Sequence, residues 1–151
     1  MISRPFVEEL ERTGIKAVLS RNGDDDVGLY RRGEIAREEE ADILLSIHFN
    51  ALPEDRDPRL LSGSSTFFYN PPSRPLAGLI QQSLLKEGLK DNGVRWQSLA
   101  VIRPADYLGV LAEIAYLTNP DDEARLFDPV FRGKIAAAIA DGVSEYIQSS
   151  K

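Results

Sequence analysis

Short apolar runs alternating with stretches of helical periodicity predict an α/β domain with a mostly parallel sheet covered by helices on both faces. Two observations carry this. Ile43-Leu44-Leu45-Ser46-Ile47 is apolar without alternation, as a strand buried on both faces requires. Phe131, Ile135, Ile139, Val143 and Tyr146 recur at the spacing of one helix face. The 151 residues, 42% of them hydrophobic, suit a single domain over residues 1–151 with its own core.

The elements follow in order. Pro5 to Thr13 reads as a helix, with Phe6, Val7 and Leu10 on one face, Ser3 as a nearby cap and Gly14 as its stop. Ile15 to Leu19 reads as a strand, and Asn22-Gly23-Asp24-Asp25-Asp26 as a surface loop. A second helix is expected from about Leu29 to Glu40, with the acidic Glu38-Glu39-Glu40 as its solvated end. The Ile43 to Ile47 strand ends at His48. A polar loop then leads to a strand at Ser65 to Tyr69, which Pro71-Pro72 ends. Pro53, Asp55, Asp57 and Pro58 disfavour any helix between Ala51 and Ser64.

Ser73 and Pro75 open a third helix that carries Leu76, Leu79, Ile80 and Leu84 and is finished by Gly88 or Gly93. Leu99 to Ile102 is expected as a short strand. Gly109 to Ile114 reads as strand, although its apolar spacing also fits a helix. Asp128-Pro129 starts the last helix, Val130 to about Ile147.

Composition excludes several functions. Net charge −6 lacks the basic face that a phosphate backbone demands, so nucleic acid is not an expected partner. Without cysteine there is no disulfide, thiolate ligand or thiol nucleophile. No apolar run approaches the roughly 18 residues of a membrane span, and the first residues do not read as a signal peptide. His48 is the single histidine, so a zinc site built from this chain alone would join one imidazole to carboxylates.

In open α/β sheets, ligands gather beyond the carboxyl ends of the strands, where His48 stands. Glu113 lies near the end of another strand, inside Val110-Leu111-Ala112-Glu113-Ile114-Ala115. A carboxylate there is costly to desolvate unless paired, metal-bound or facing a wet cleft. On the residues alone, His48 reads first as a hydrogen-bonded structural histidine. Glu113 reads equally as a partner of an arginine such as Arg103 or as a catalytic group.

Three ordered segments tip that balance. Leu19-Ser20-Arg21, then Ala41-Asp42-Ile43-Leu44-Leu45-Ser46-Ile47-His48-Phe49-Asn50-Ala51, then Val110-Leu111-Ala112-Glu113-Ile114-Ala115-Tyr116-Leu117-Thr118-Asn119-Pro120 resemble the zinc-dependent N-acetylmuramoyl-L-alanine amidases. Those bacterial enzymes cut the bond between muramic acid and the stem peptide of peptidoglycan. The resemblance implies peptidoglycan as substrate, zinc as cofactor, His48 as a zinc ligand and Glu113 as the catalytic glutamate. Ser46 and Asn50 are positioning candidates. It also implies action outside the cytoplasm, in the periplasm or cell wall. Ala115-Tyr116 replaces the family's frequent Gly-Phe, and Leu108 stands where a proline is common; neither change removes a reacting group.

The family's first strand ends in His-Gly-Gly, and a glutamate at the start of its first helix completes the zinc site. Aligned on Leu19-Ser20-Arg21, Met1 falls inside that helix, so the expectation is a domain lacking its first strand and two of its ligands. Such a chain should bind zinc weakly, and its exposed sheet edge, near Ile15 to Leu19 or Ile43 to Ile47, invites self-association. Two other readings are a peptidoglycan-binding relative without catalysis and an unrelated α/β hydrolase or binding domain; the ordered motifs argue against the second.

Overall fold

The structure, a computed structural model, describes residues 2–23 and 26–150. Among them the chain forms helices α1 (Ser3–Arg12), α2 (Leu29–Glu38), α3 (Arg74–Lys86), α4 (Pro120–Phe127) and α5 (Pro129–Ser149), and strands β1 (Ile43–Asn50), β2 (Ser64–Phe68), β3 (Asp91–Trp96) and β4 (Leu108–Tyr116). The strands form one four-stranded sheet in the order β1-β4-β2-β3. β1 runs parallel to β4, and β3 runs parallel to β2. Only the central β2–β4 pairing is antiparallel.

Alternation along the strands divides the sheet between two apolar clusters of unequal size. Val110, Ala112 and Ile114 of β4 face a large core with Leu76, Ile80 and Leu84 of α3, Ile135 and Ile139 of α5, and Phe6 of α1. Ile43, Leu45, Ile47 and Phe49 of β1 pack against the same core. Gly142 lets α5 approach α3 closely, since a Cβ there would lie 2.8 Å from the Ile80 Cα. On the opposite face, Leu111 and Phe67 meet Val101 and Ile102, with Leu44 beside them. α2 lies against this smaller cluster, so helices cover both faces, as the sequence predicts.

Several elements depart from expectation. Ile15 to Leu19 is not a strand; it is an irregular segment whose Ile15 and Ala17 still pack on the large core. Val18 is exposed, and the segment enters no ladder. Leu99 to Ile102 is not a strand either: Ala100–Ile102 is a 3-10 turn. Ser3 is the first residue of α1 rather than its cap; Ile2 holds that position without a side-chain bond. Gly14 does terminate the helix, with φ +81°, a conformation costly for any residue bearing a Cβ. Asp24 and Asp25 of the predicted loop lie outside the described residues.

Two elements carry signals that apolar periodicity does not reveal. β3 contains Gly93 at φ +89°, where the ladder with β2 slips by one residue. That glycine reads as a helix stop, yet it serves an irregularity inside an edge strand. Ahead of α4, Asn119 accepts hydrogen bonds from the Asp121 and Asp122 backbone N–H groups, with Pro120 next and acids in the first turn. This is a complete helix start.

Residues 51–63, between β1 and β2, contain no helix, as predicted. Leu52 N–H donates to Thr118 Oγ1, Asn119 Nδ2 donates to the Leu61 carbonyl, and Gly63 N–H donates to Asp122 Oδ2, so the segment is tied to the residues following β4.

Candidate active site

His48 is in register with Glu113 across the parallel β1–β4 pair. Opposite residues in a ladder share a face, so both side chains leave the sheet on the side of Leu44 and Leu111. The small apolar cluster reaches Leu111, and Glu113 is the next residue along that face. Ser65 of β2 is the partner of Glu113 on its other side. The row across three strands is therefore His48, Glu113 and Ser65. Ser65 carried no sequence signal, because only the antiparallel register of β2 brings it there.

The buried Ser46 hydroxyl lies 2.8 Å from His48 Nε2, a hydrogen bond that orients the ring. Asn50 plays a different part: its Oδ1 accepts from the Ala51 backbone N–H and shapes the start of the loop. Of the two positioning candidates, Ser46 touches His48, and Asn50 makes a local turn.

Glu113 is half-buried, and its Oε2 is shielded from solvent without a hydrogen-bond partner. Burial pushes its pKa above the ordinary carboxylate value. Arg103, the alternative partner, instead donates to Ser98 Oγ. An orphaned buried carboxyl oxygen needs a reason, and a catalytic or metal-associated role is one. Burial, followed by the charges of Arg32 and Arg21, holds His48 below the ordinary imidazole value and favours its neutral form. A neutral imidazole is the form that binds metal.

Among the described residues, no group of three His, Cys, Asp or Glu side chains stands ready to hold a metal. His48 suits one position of a zinc site, but catalytic zinc takes three protein ligands. The described donor set thus falls short of a zinc centre.

A profile of the N-acetylmuramoyl-L-alanine amidases matches residues 2–145. N-acetylmuramoyl-L-alanine amidase LytC of Bacillus subtilis is 36% identical over 150 residues, covering 96% of this chain and 29% of LytC. A Staphylococcus aureus protein named "Probable cell wall amidase LytH" is 30% identical over 141 residues, covering 93% of this chain and 45% of its own length. The chain thus spans less than half of either relative. The amidase AmiC2 of Nostoc punctiforme superposes with a TM-score of 0.91 at 31% identity, covering 97% of this chain and 81% of that one. An N-acetylmuramoyl-L-alanine amidase of Clostridium difficile 630 gives 0.92 at 26% identity, covering 99% and 82%. With the matched profile spanning nearly the whole chain, the protein belongs to the N-acetylmuramoyl-L-alanine amidase family.

Proposed function

We propose that this domain hydrolyses the amide between N-acetylmuramic acid and L-alanine in peptidoglycan, acting outside the cytoplasm, with Glu113 as general base and His48 as one zinc ligand. The register pairing of His48 with Glu113 carries the reading, because it sets the two groups side by side at one sheet end. The remaining ligands would come from outside the described residues, as they would if the family's first strand and His-Gly-Gly segment were added. Zinc, when bound, polarises an amide carbonyl and acidifies water.

Glu113 takes the attacking water's proton and returns it to the departing L-alanine nitrogen. Its raised pKa supports that cycle, since proton transfer is most efficient when the carrier's pKa lies near the working pH. Ser46 keeps the His48 ring in place. Among the described residues, no helix is long and apolar enough to cross a membrane.

The second reading is a relative that binds peptidoglycan without cutting it. One experiment separates the two. The chain is assayed alone and fused to a strand bearing His-Gly-Gly and a helix-start glutamate, measuring zinc affinity by calorimetry and the alanine amino termini released from peptidoglycan. The chain alone should bind zinc weakly and release little. The fusion should gain tight zinc binding, activity and a higher melting temperature together. A fusion that binds zinc tightly yet releases nothing would establish binding without catalysis.

A further inference from the structure

Ser64, Ser65 and Thr66 set three hydroxyl groups in succession on β2. Alternation sends the first and third to one face. There Gln81 Nε2 donates to Ser64 Oγ at 3.2 Å and Thr66 Oγ1 donates to the Ala77 carbonyl at 3.0 Å, so both hydroxyls tie β2 to α3. Ser65 points the other way, to the face that Phe67 shares with Leu111, and it is in register with Glu113. The residue is only 4% exposed, yet its hydroxyl has no hydrogen-bond partner among the described residues.

Glu113 Oε2 is likewise shielded and unpartnered. Of the two residues in register with Glu113, His48 has its Nε2 engaged by Ser46 at 2.8 Å, and the amidase reading gives its other nitrogen to zinc. Ser65 is the one with a donor uncommitted. Opposite residues of an antiparallel pair have Cβ atoms about 4.5–5.5 Å apart, a span that a serine hydroxyl and a glutamate carboxyl close by side-chain rotation. An enclosed hydroxyl and a shielded carboxyl oxygen each cost free energy when unpaired, and one hydrogen bond removes both penalties.

We propose that Ser65 is a positioning residue for the amidase reaction: its hydroxyl donates to Glu113 Oε2 when the carboxyl group is ionised and holds that group in one rotamer, leaving Oε1 to take and return the proton. The catalytic consequence rests on the amidase reading, whereas the contact is a property of this chain alone. A hydrogen bond to a charged acceptor is about twice as strong as a neutral one, enough to select among the staggered rotamers of a glutamate. The donor itself is steady, because β2 is paired on both sides, to β4 and to β3.

The contact is tested in the 151-residue chain at mildly alkaline pH. Crystals grown there should show Ser65 Oγ about 2.7 Å from a Glu113 carboxyl oxygen. In solution, NMR couplings and relaxation should report one ordered Glu113 rotamer. Ser65→Ala should release it to several, and Ser65→Thr, which returns a hydroxyl on a strand-favouring residue, should restore it. Ser64→Ala, which removes a hydroxyl from the α3 side, should leave the rotamer as it was. In the fusion that completes the zinc site, Ser65→Ala should lower kcat about tenfold with KM and zinc affinity unchanged, and Ser65→Thr should recover the rate. A Glu113 side chain equally ordered with and without the Ser65 hydroxyl would overturn the contact. An ordered contact whose loss leaves kcat unchanged would overturn the positioning role. A fusion without turnover in any variant would sink the amidase reading, and the contact would still be decided by the crystals and the NMR.

Discussion

Glu113 stands between His48 on one neighbouring strand and Ser65 on the other, in register with both. The carboxyl group is thereby held on the interior strand of the sheet, where backbone hydrogen bonds on both sides fix its position. Glu113→Gln removes the proton carrier and keeps the shape. In the zinc-completed enzyme, turnover should fall about 10²- to 10⁴-fold. Zinc affinity and unfolding midpoint at neutral pH should hold or rise, since the variant has no buried charge to desolvate. Rates and denaturant curves on the same preparation check both halves; a fully active Gln variant would remove Glu113 from the mechanism.

The two titrating groups of the site should pull stability in opposite directions with pH. His48 has a folded-state pKa below its ordinary 6.5, so under that pH the unfolded chain binds the proton first. Stability is then lost as pH falls from about 6.5 toward the lowered value. Glu113 has a folded-state pKa above its ordinary 4.5, so the folded state keeps its proton longer. Stability from this group is greatest at low pH and declines as pH rises from about 4.5 through the raised value. In metal-free protein, Glu113→Gln should flatten the second slope and His48→Asn the first. Unchanged pH profiles of the unfolding midpoint in both variants would contradict these assignments.

Asp122 should prove structurally costly to replace. Its Oδ2 accepts from the Gly63 N–H at 2.8 Å and from the Tyr116 N–H at 2.9 Å, both in buried surroundings. Asp122→Ala strands two donors and should cost about 2–4 kcal/mol; Asp122→Asn, which keeps an acceptor oxygen, should cost less. Equilibrium unfolding in urea measures each, and a loss under about 0.5 kcal/mol for the alanine variant would show that water replaces the carboxylate easily.

β1 ends the strand order, so its outer backbone groups meet no other strand among the described residues. An apolar edge of this kind is a template for pairing. Sedimentation velocity should show association that grows with concentration across the micromolar range. The fused first strand described above should suppress it. Ideal monomeric behaviour throughout would mean that the edge is adequately protected as it stands.

The strands that hold the site were legible because their side chains are apolar on both faces. Ile43 to Ile47 and Val110 to Ile114 both form strands of one covered sheet, β4 inside it and β1 at its edge, and the polar residue breaking each run lies at the site. Ile15 to Leu19 was misleading, since Ile15 and Ala17 pack on the large core without any strand pairing. β3 was hidden by its exposed, polar edge character. Ser65 was not legible as a site residue at all. A serine in a strand carries no local signature, and it matters only through the register that sets it beside Glu113.

The strand order has a topographic consequence. β1 leaves the sheet and β2 enters it at the same end, with β4 between them, so residues 51–63 arch across the terminus of the strand that carries Glu113. The arch is pinned to the turn beyond β4 by Leu52, Leu61 and Gly63, and none of these ties involves a ladder bond of β1 or β4. Its length is therefore free to vary independently of the pairing that aligns Glu113 with His48. Insertions or deletions in this arch would change what stands over the end of β4 while His48 and Glu113 keep their spacing.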